Sequence, residues 1–273
     1  MKASLGRRIA TYALAALIVI STALPLGWML ISGFKGRNEV LRTPFQFFPD
    51  VWIWQNYATI LQDPAFLQAM AVTFAGALLF TLLSLVVNSV AAYAFARLDF
   101  RGKRFWWVFC ITPMFIPGMA ILLTSYVVVS NLGMLNTLAV LIIPGAASAI
   151  QMFFIRQFYL NTPLAIEEAA LIDGAGRWRI FWSIFLPQSQ GVFVVVGVGS
   201  FLAYWNAYVW PILTIQDPGL QQIMQYIATF RSERGNEWGL LMAGSTLAAL
   251  PTILLVLVFQ RYIVNGVRLA GMK

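Results

Sequence analysis

The residues best suited to chemistry are the charged groups of a short polar stretch, EEAALIDGAGRWRIFWSIFLP, at residues 167–187. This stretch closely follows residues 105–155, which contain no Asp, Glu, Lys or Arg. A carboxylate at a helix surface can pair with an arginine of another protein through charge-assisted hydrogen bonds. Small side chains beside it let a second surface approach the backbone closely. The composition of this stretch therefore suits the docking of another protein better than catalysis.

The spacing places small and apolar residues on one face of a helix. Ala165, Ala169 and Ile172 stand at i, i+4 and i+7, with Ala170 to one side. Glu168 lies beside this face, where it can meet a basic partner. We interpret the face as a docking surface; a solvated loop helix is the alternative, and it does not account for the alanine pair. The candidate docking residues are Glu168, Ala169, Ala170, Asp173 and Gly174.

The local sequence predicts the helix that carries this face. Thr162 is expected to cap it, with Pro163 at the first helical position, where a missing N–H has no consequence. Asp173 and Gly174 are expected to end it, because glycine readily adopts the left-handed conformation of a helix C-terminus. A second short helix is predicted to end at Pro187 and to lay its aromatic side chains on the membrane or on the helix bundle. These aromatic residues are Trp178, Phe181, Trp182 and Phe185.

Other kinds of chemistry are excluded by composition. The chain has no histidine and a single cysteine, Cys110, which excludes a catalytic imidazole, a histidine metal site and an intramolecular disulfide. It also lacks a glycine-lysine phosphate-binding loop, which excludes a P-loop nucleotide site in this chain. We therefore predict no catalytic residue, no metal site and no cofactor in this chain.

Long uncharged segments indicate a membrane protein. Hydrophobic residues make up 60% of the sequence and charged residues 10%, whereas soluble domains average about 45–50% and about 25%. A membrane-spanning helix needs about 20 mostly apolar residues, so 105–155 is too long for one span, and SNLGMLN at 130–136 supplies a turn. The expected fold is all-α, a single polytopic domain over 1–273. The six predicted spans are about 9–32, 70–96, 105–129, 135–155, 190–215 and 239–260.

The basic residues predict the orientation. With the N-terminus inside, thirteen of the 18 lysines and arginines lie in cytoplasmic segments. Because cytoplasmic connections are enriched in these residues, both termini and the connection 156–188 are predicted to be cytoplasmic. We interpret the charge as a topology signal and not as a nucleic-acid-binding surface. The thirteen are Lys2, Arg7, Arg8, Arg97, Arg101, Lys103, Arg104, Arg156, Arg177, Arg179, Arg261, Arg268 and Lys273.

The spans contain no charged residue, which argues against a proton-coupled carrier and favours a neutral cargo. Asn88 and Gln151 are expected to form helix–helix hydrogen bonds, because an unsatisfied amide is unfavourable in hydrocarbon. Prolines in spans three, four and six predict kinks. They are Pro113, Pro117, Pro144 and Pro251.

The segment FLAYWNAYVWP at 201–211 is a candidate cargo path. Phe201, Trp205 and Tyr208 are predicted to share one helix face, and aromatic rings beside an amide suit neutral sugars. Aromatic residues also gather at the bilayer surface, which is the alternative explanation. The candidate cargo-path residues are Tyr204, Trp205, Asn206 and Tyr208.

The polar stretch resembles a specific family motif. Glu168-Ala169-Ala170, Gly174 and Ile184 with Leu186-Pro187 have the spacing of the EAA motif found in importer permeases of the ATP-binding-cassette (ABC) superfamily. Three further segments resemble the carbohydrate branch, in particular the maltose-type second permease subunit. These are AAYAFARLDFRGKR at 91–104, NLGMLNT at 131–137 and WNAYVWP at 205–211. The tail NGVRLAGMK at 265–273 resembles the glycine-rich ending of this family only loosely.

The resemblance implies a type I ABC importer permease fold in the bacterial inner membrane and the import of a sugar or oligosaccharide. It implies that the EAA helix is seated in a cleft of a cytoplasmic ATPase and that Glu168 pairs with that ATPase. The expected partners are a second, different permease subunit, two ATPase subunits that bind ATP and Mg²⁺, and an extracytoplasmic solute-binding protein. The outer loops 33–69 and 216–239 are expected to face that binding protein; for the aromatic residues Phe47, Phe48, Trp52 and Trp54, contact with the membrane surface is the alternative.

The sequence leaves three alternative functions. The same type of importer can carry a glycerol phosphoester or a polyamine, although the uncharged spans weigh against both. A membrane-embedded enzyme would have little chemistry available without histidine or intramembrane carboxylates. A stand-alone facilitator would carry its cargo without ATP.

Overall fold

The computed structural model describes residues 5–232 and 237–271, with side chains over 6–231 and 237–264. Every regular element in these residues is helical, as predicted. Lys2, Arg234 and Lys273 lie outside the described residues, and so does the side chain of Arg268. The described residues form two compact units, one made of 5–68 with 225–232 and 237–251 and the other of 69–224 with 252–271.

Three helices are individually long and apolar enough to cross a membrane. They are α1 (Leu5–Ser32), α3 (Pro64–Arg97) and α14 (Trp238–Gly271). Their positions agree with the first, second and sixth predicted spans. Arg97 ends α3, so a basic residue lies at the last turn, where the helix dipole favours it.

The third and fourth predicted spans are bent helix pairs. In the third, α4 (Lys103–Ile111) and a short 3₁₀ turn are followed, at an angle of 102°, by a second 3₁₀ turn and α5 (Leu122–Asn131). In the fourth, α6 (Leu138–Ala146) and α7 (Ala149–Leu160) meet at 46°. Prolines explain both breaks, because they remove backbone hydrogen bonds. Pro113 and Pro117 flank the first break, and Pro144 lies in the last turn of α6 before the second.

The fifth predicted span, 190–215, is not one continuous helix. Helix α11 (Gln190–Trp205) ends at Trp205 and not at residue 215, and a separate helix α12 (Val209–Thr214) follows. Tyr208 has a non-helical backbone, so it does not continue the helix face of Phe201 and Trp205. The helical segment on the other side, Arg177–Gln188, meets α11 at 78°. With these three bent pairs, the candidate spans number up to six in the described residues.

The smaller unit buries a lysine in its first loop. Lys35 has no exposed surface, its ammonium lies 4.3 Å from the ring centre of Trp28, and it donates to the Gln46 carbonyl. The loop leads to α2 (Gln55–Gln62), and the unit also contains α13 (Ile223–Ser232) from residue 225 onward. Tyr226 of α13 donates to the Asp63 carboxylate at 2.6 Å.

The larger unit has an aromatic core at one end of α3. Tyr93 of α3 packs on Phe181 and Phe185 at ring-centre distances of 5.2 and 5.1 Å, and Tyr159 of α7 packs edge-on against Phe185. Phe181 and Phe185 belong to a single π-turn that follows α9 (Arg177–Ile180) and precedes α10 (Leu186–Gln188). The predicted second helix is therefore present and ends one residue after Pro187. Two of its aromatic residues lie in the core, whereas Trp178 and Trp182 are exposed.

Candidate functional site

The acidic helix α8 (Leu164–Ile172) forms where the sequence predicts it, but its cap differs. Pro163 stands in the N-cap position, and no side chain caps the helix. Thr162 was predicted to cap the helix, and this prediction is wrong. Its carbonyl instead accepts a hydrogen bond from the Arg97 guanidinium, so the start of α8 is held by the end of α3.

The end of α8 agrees with the prediction. Gly174 has φ of +79°, the left-handed conformation. Its N–H donates to the Leu171 carbonyl at 3.0 Å, and the Ala175 N–H donates to the Ala170 carbonyl at 2.9 Å. These two bonds form a Schellman motif, which satisfies the last carbonyl groups of the helix.

The predicted docking face of α8 is exposed. Ala165, Ala169 and Ile172 all lie at the surface, and Ile172 is 86% exposed. Glu168 is also exposed, and over the described part of the chain it takes part in no ion pair. Ala170 is half-buried and packs against the aromatic core. The helix thus presents small residues and one carboxylate outward while its other side is fixed.

The fixed side depends on Glu167, a residue that the sequence reasoning did not single out. Its side chain is 6% exposed and accepts a hydrogen bond from Arg177. Its second carboxylate oxygen lies 3.8 Å from Arg97, which is 4% exposed. Arg97 also donates to the Tyr159 carbonyl and lies over the Phe185 ring at 5.1 Å. Glu167 therefore joins α8 to the end of α3 through buried charges.

Glu167 was missed because the motif spacing begins at Glu168, and because Arg97 and Arg177 were counted only as orientation signals. One signal was available in the sequence. Two glutamates in succession on a helix point about 100° apart, so a docking face that includes Glu168 turns Glu167 toward the protein.

Two amides and two serines connect three helices of the larger unit. Asn88 of α3 donates to the Ala146 carbonyl and accepts from the Ser148 N–H, each at 2.8 Å. It thereby satisfies backbone groups at the break between α6 and α7. Gln151 accepts from Ser84 at 2.7 Å and donates to Ser200 of α11 at 2.9 Å. The predicted helix–helix role of Asn88 and Gln151 is confirmed.

The four candidate cargo-path residues divide into two pairs. Tyr204 and Trp205 are buried, with Tyr204 against Phe80 and Trp205 stacked on Phe201. Asn206 and Tyr208 are exposed in the break between α11 and α12. Gly76 is needed for this packing, because a Cβ there would lie 2.1 Å from the Tyr204 hydroxyl.

The site offers no metal chemistry within the described residues, where no group of three or more Cys, Asp or Glu side chains could hold an ion. What the arrangement can do is mechanical. The exposed face of α8 is accessible to a partner, and a buried ion pair connects that helix to the end of α3.

Comparison with known proteins decides the family. Residues 88–269 match the family described as the inner membrane component of binding-protein-dependent transport systems. The chain belongs to this family. It is a permease subunit of the bacterial inner membrane, and a permease subunit is not in itself an enzyme.

Individual proteins agree with this assignment. The diacetylchitobiose uptake permease NgcG of Streptomyces coelicolor is 32% identical over 97% of this chain and 89% of its own length. The sn-glycerol-3-phosphate permease UgpE of Yersinia enterocolitica is 30% identical over 91% of each chain. A chain in the crystal structure of a bacterial ABC transporter involved in alginate import superposes with a TM-score of 0.82, at 20% identity, over 96% of this chain and 99% of that one. The last comparison shows that the two share a fold.

Proposed function

We propose that this permease subunit imports a sugar or oligosaccharide, driven by ATP that a partner ATPase hydrolyses. The family description supports dependence on a binding protein, and the diacetylchitobiose permease supports a carbohydrate cargo. In this proposal both termini and the connection 156–188 are cytoplasmic. The complex contains a second, different permease, two ATPase subunits that bind ATP and Mg²⁺, and an extracytoplasmic solute-binding protein.

The observation that carries the coupling role is the two-sided construction of α8. Outward, Ala165, Ala169 and Ile172 offer a close-approach surface to an ATPase cleft, and the exposed Glu168 offers a charge to an arginine there. Inward, Glu167 is held by buried Arg97. When the ATPase subunits close, α8 moves with them. Because Arg97 is the last residue of α3, that displacement is passed directly to a membrane-spanning helix.

The amide network then carries the displacement across the membrane region. Asn88 ties α3 to the α6–α7 break, and Gln151 ties α7 to α11. Helix α11 ends at the buried Trp205 and the exposed Asn206. A movement that enters at Arg97 can therefore change the environment of the candidate cargo-path residues. The prolines at the helix breaks supply the bends that alternating access requires.

A glycerol phosphoester is the second candidate cargo, because the sn-glycerol-3-phosphate permease is about as similar to this chain as the chitobiose permease. The uncharged run 105–155 favours the sugar, since a phosphate would need a positive group along its path. Uptake of a labelled panel by cells that express the whole transport system separates the two. The proposal expects saturable uptake of a neutral sugar, and uptake of only the phosphoester would overturn the cargo assignment.

The coupling role is tested in proteoliposomes that contain the complete transporter. Glu168→Ala is expected to leave membrane insertion intact and to lower the amount of cargo moved per ATP hydrolysed. The matched control is Asp99→Ala, which removes another exposed carboxylate that lies outside α8. An unchanged ratio of transport to hydrolysis in Glu168→Ala would remove the coupling assignment.

A further inference from the structure

A basic groove lies beside the anchored end of α3 and plays no part in the coupling role. It has a volume of about 310 Å³ and is lined by side chains from α3, α4 and α7. Two of these side chains are aromatic and three are cationic. They are Phe95, Trp107, Lys103, Arg104 and Arg156.

The guanidinium of Arg156 is held in place inside this groove. Its Nε donates to the Phe95 carbonyl at 3.2 Å, and the group lies 4.1 Å from the ring centre of Trp107. Its terminal nitrogens are not used by this bond. A half-buried guanidinium that is fixed by an aromatic ring and a carbonyl is preorganised to bind an anion, because little side-chain entropy is lost.

The charges of the groove are not balanced by the protein. Over the described part of the chain, neither Arg104 nor Arg156 takes part in an ion pair. Lys103 lies 3.5 Å from Asp99, whose side chain is fully exposed. Such a solvent-exposed pair is worth little. In the described residues, the three cations of the groove therefore have one carboxylate partner, and that pair is weak.

The sequence places the groove at the surface of the bilayer. Arg104 and Arg156 are the residues on either side of the uncharged run 105–155, so both ends of that apolar segment return to this point. On the outside of α4, Phe105, Trp106 and Phe109 are exposed. Exposed aromatic side chains next to basic residues are typical of the headgroup level of a membrane.

We infer that this groove binds the headgroup of an anionic phospholipid. The phosphate accepts hydrogen bonds from the terminal guanidinium nitrogens of Arg156 and from Arg104 and Lys103. The glycerol and the upper acyl chains lie along Phe95 and Trp107. Basic pockets between membrane helices bind lipid headgroups in this way. The inference requires only that this end of the helices lies at a bilayer surface, so it does not depend on the cargo.

The test uses the purified complete transporter in nanodiscs and a photoactivatable phosphatidylglycerol as the probe. Crosslinks are expected in the peptides that contain Trp107 and Arg156. Unlabelled phosphatidylglycerol should compete with the probe, whereas phosphatidylcholine and inorganic phosphate should not. Equal labelling by a photoactivatable phosphatidylcholine would overturn the inference. Labelling of another subunit instead of these two peptides would also overturn it.

Variants give an independent readout. Arg104→Gln changes an exposed side chain and is expected to weaken phosphatidylglycerol binding about fivefold, and Arg104→Gln with Arg156→Gln by about thirtyfold. Arg42→Gln, on the first loop of the smaller unit, is the matched control and should leave the labelling unchanged. Wild-type labelling in the double variant would overturn the inference. Sugar uptake by the same variants in proteoliposomes reports separately on the proposed transport function.

Discussion

Replacing Glu167 by glutamine keeps the shape of the side chain and removes the charge that joins α8 to α3. Arg97 is 4% exposed and lies 3.8 Å from this carboxylate, and removing one partner of such a buried pair costs about 3–5 kcal/mol. The pair with Arg177 adds at most about 1 kcal/mol, because the Arg177 side chain is 50% exposed. A loss of about 3 kcal/mol makes the detachment of α8 more frequent by about a hundredfold.

Amide hydrogen exchange measures this detachment directly. In the purified transporter, the amides of α8 should exchange about a hundredfold faster in Glu167→Gln than in the wild type, and transport per ATP hydrolysed should fall. Glu168→Gln is the matched control, since the adjacent carboxylate is exposed; it should lower coupling without accelerating exchange. If α8 in Glu167→Gln exchanges within twofold of the wild-type rate, the buried charge does not hold the helix and the reasoning is refuted.

Four further predictions concern single residues. Gly174→Ala places a Cβ at φ of +79°, a cost of about 1–2 kcal/mol, and should raise exchange at the end of α8 about tenfold. Asn88→Ala leaves the Ala146 carbonyl and the Ser148 N–H without their partner and should lower the thermal midpoint of the complex, because each such group costs about 1–3 kcal/mol. Asn206→Ala should reduce uptake more than assembly, measured by flux and by subunit co-purification. Burial lowers the pKa of Lys35 in the folded loop below its ordinary value of 10.5. Because the unfolded loop binds the proton more tightly, the first loop should become more stable as the pH rises toward 10.5. Lys35→Met should remove this dependence of protease resistance on pH.

Each of these four variants also has an outcome that would contradict its prediction. Unchanged exchange in Gly174→Ala would mean that the left-handed turn does not limit α8. An unchanged thermal midpoint in Asn88→Ala would mean that other contacts stabilise the break between α6 and α7. If Asn206→Ala impairs only assembly, the packing explanation of that segment is correct. A loop whose protease resistance is independent of pH in the wild type would contradict the buried charge of Lys35.

The spans were predictable because charge and hydrophobicity act over many residues. The uncharged run 105–155 and its SNLGMLN turn were enough to place two spans. The helix breaks within them were partly predictable, since Pro113 and Pro144 predict bends but not the angles of 102° and 46°. The end of α11 at Trp205 was not predictable, because the residues that follow, NAYVWP, contain no helix-breaking residue before Pro211.

The exposed face of α8 was predictable for a similar reason. Its small residues follow the helical period, and Gly174 marks the end of the helix. The anchor was not, because Arg97 and Glu167 are far apart in the sequence and only the fold brings them together. The groove at Arg156 was missed in the same way, since its cations were interpreted only as orientation signals.

In the proposed coupling, the exposed face of α8 is seated in a cleft of the partner ATPase. The most direct measurement is photocrosslinking from a photoreactive amino acid at position 169, in intact membranes that contain the complete transporter. Docking through α8 predicts a crosslink to the ATPase subunit from this position and none from position 182, where Trp182 is exposed on the following helical segment. Crosslinks from position 169 only to lipid, or to no protein at all, would contradict it.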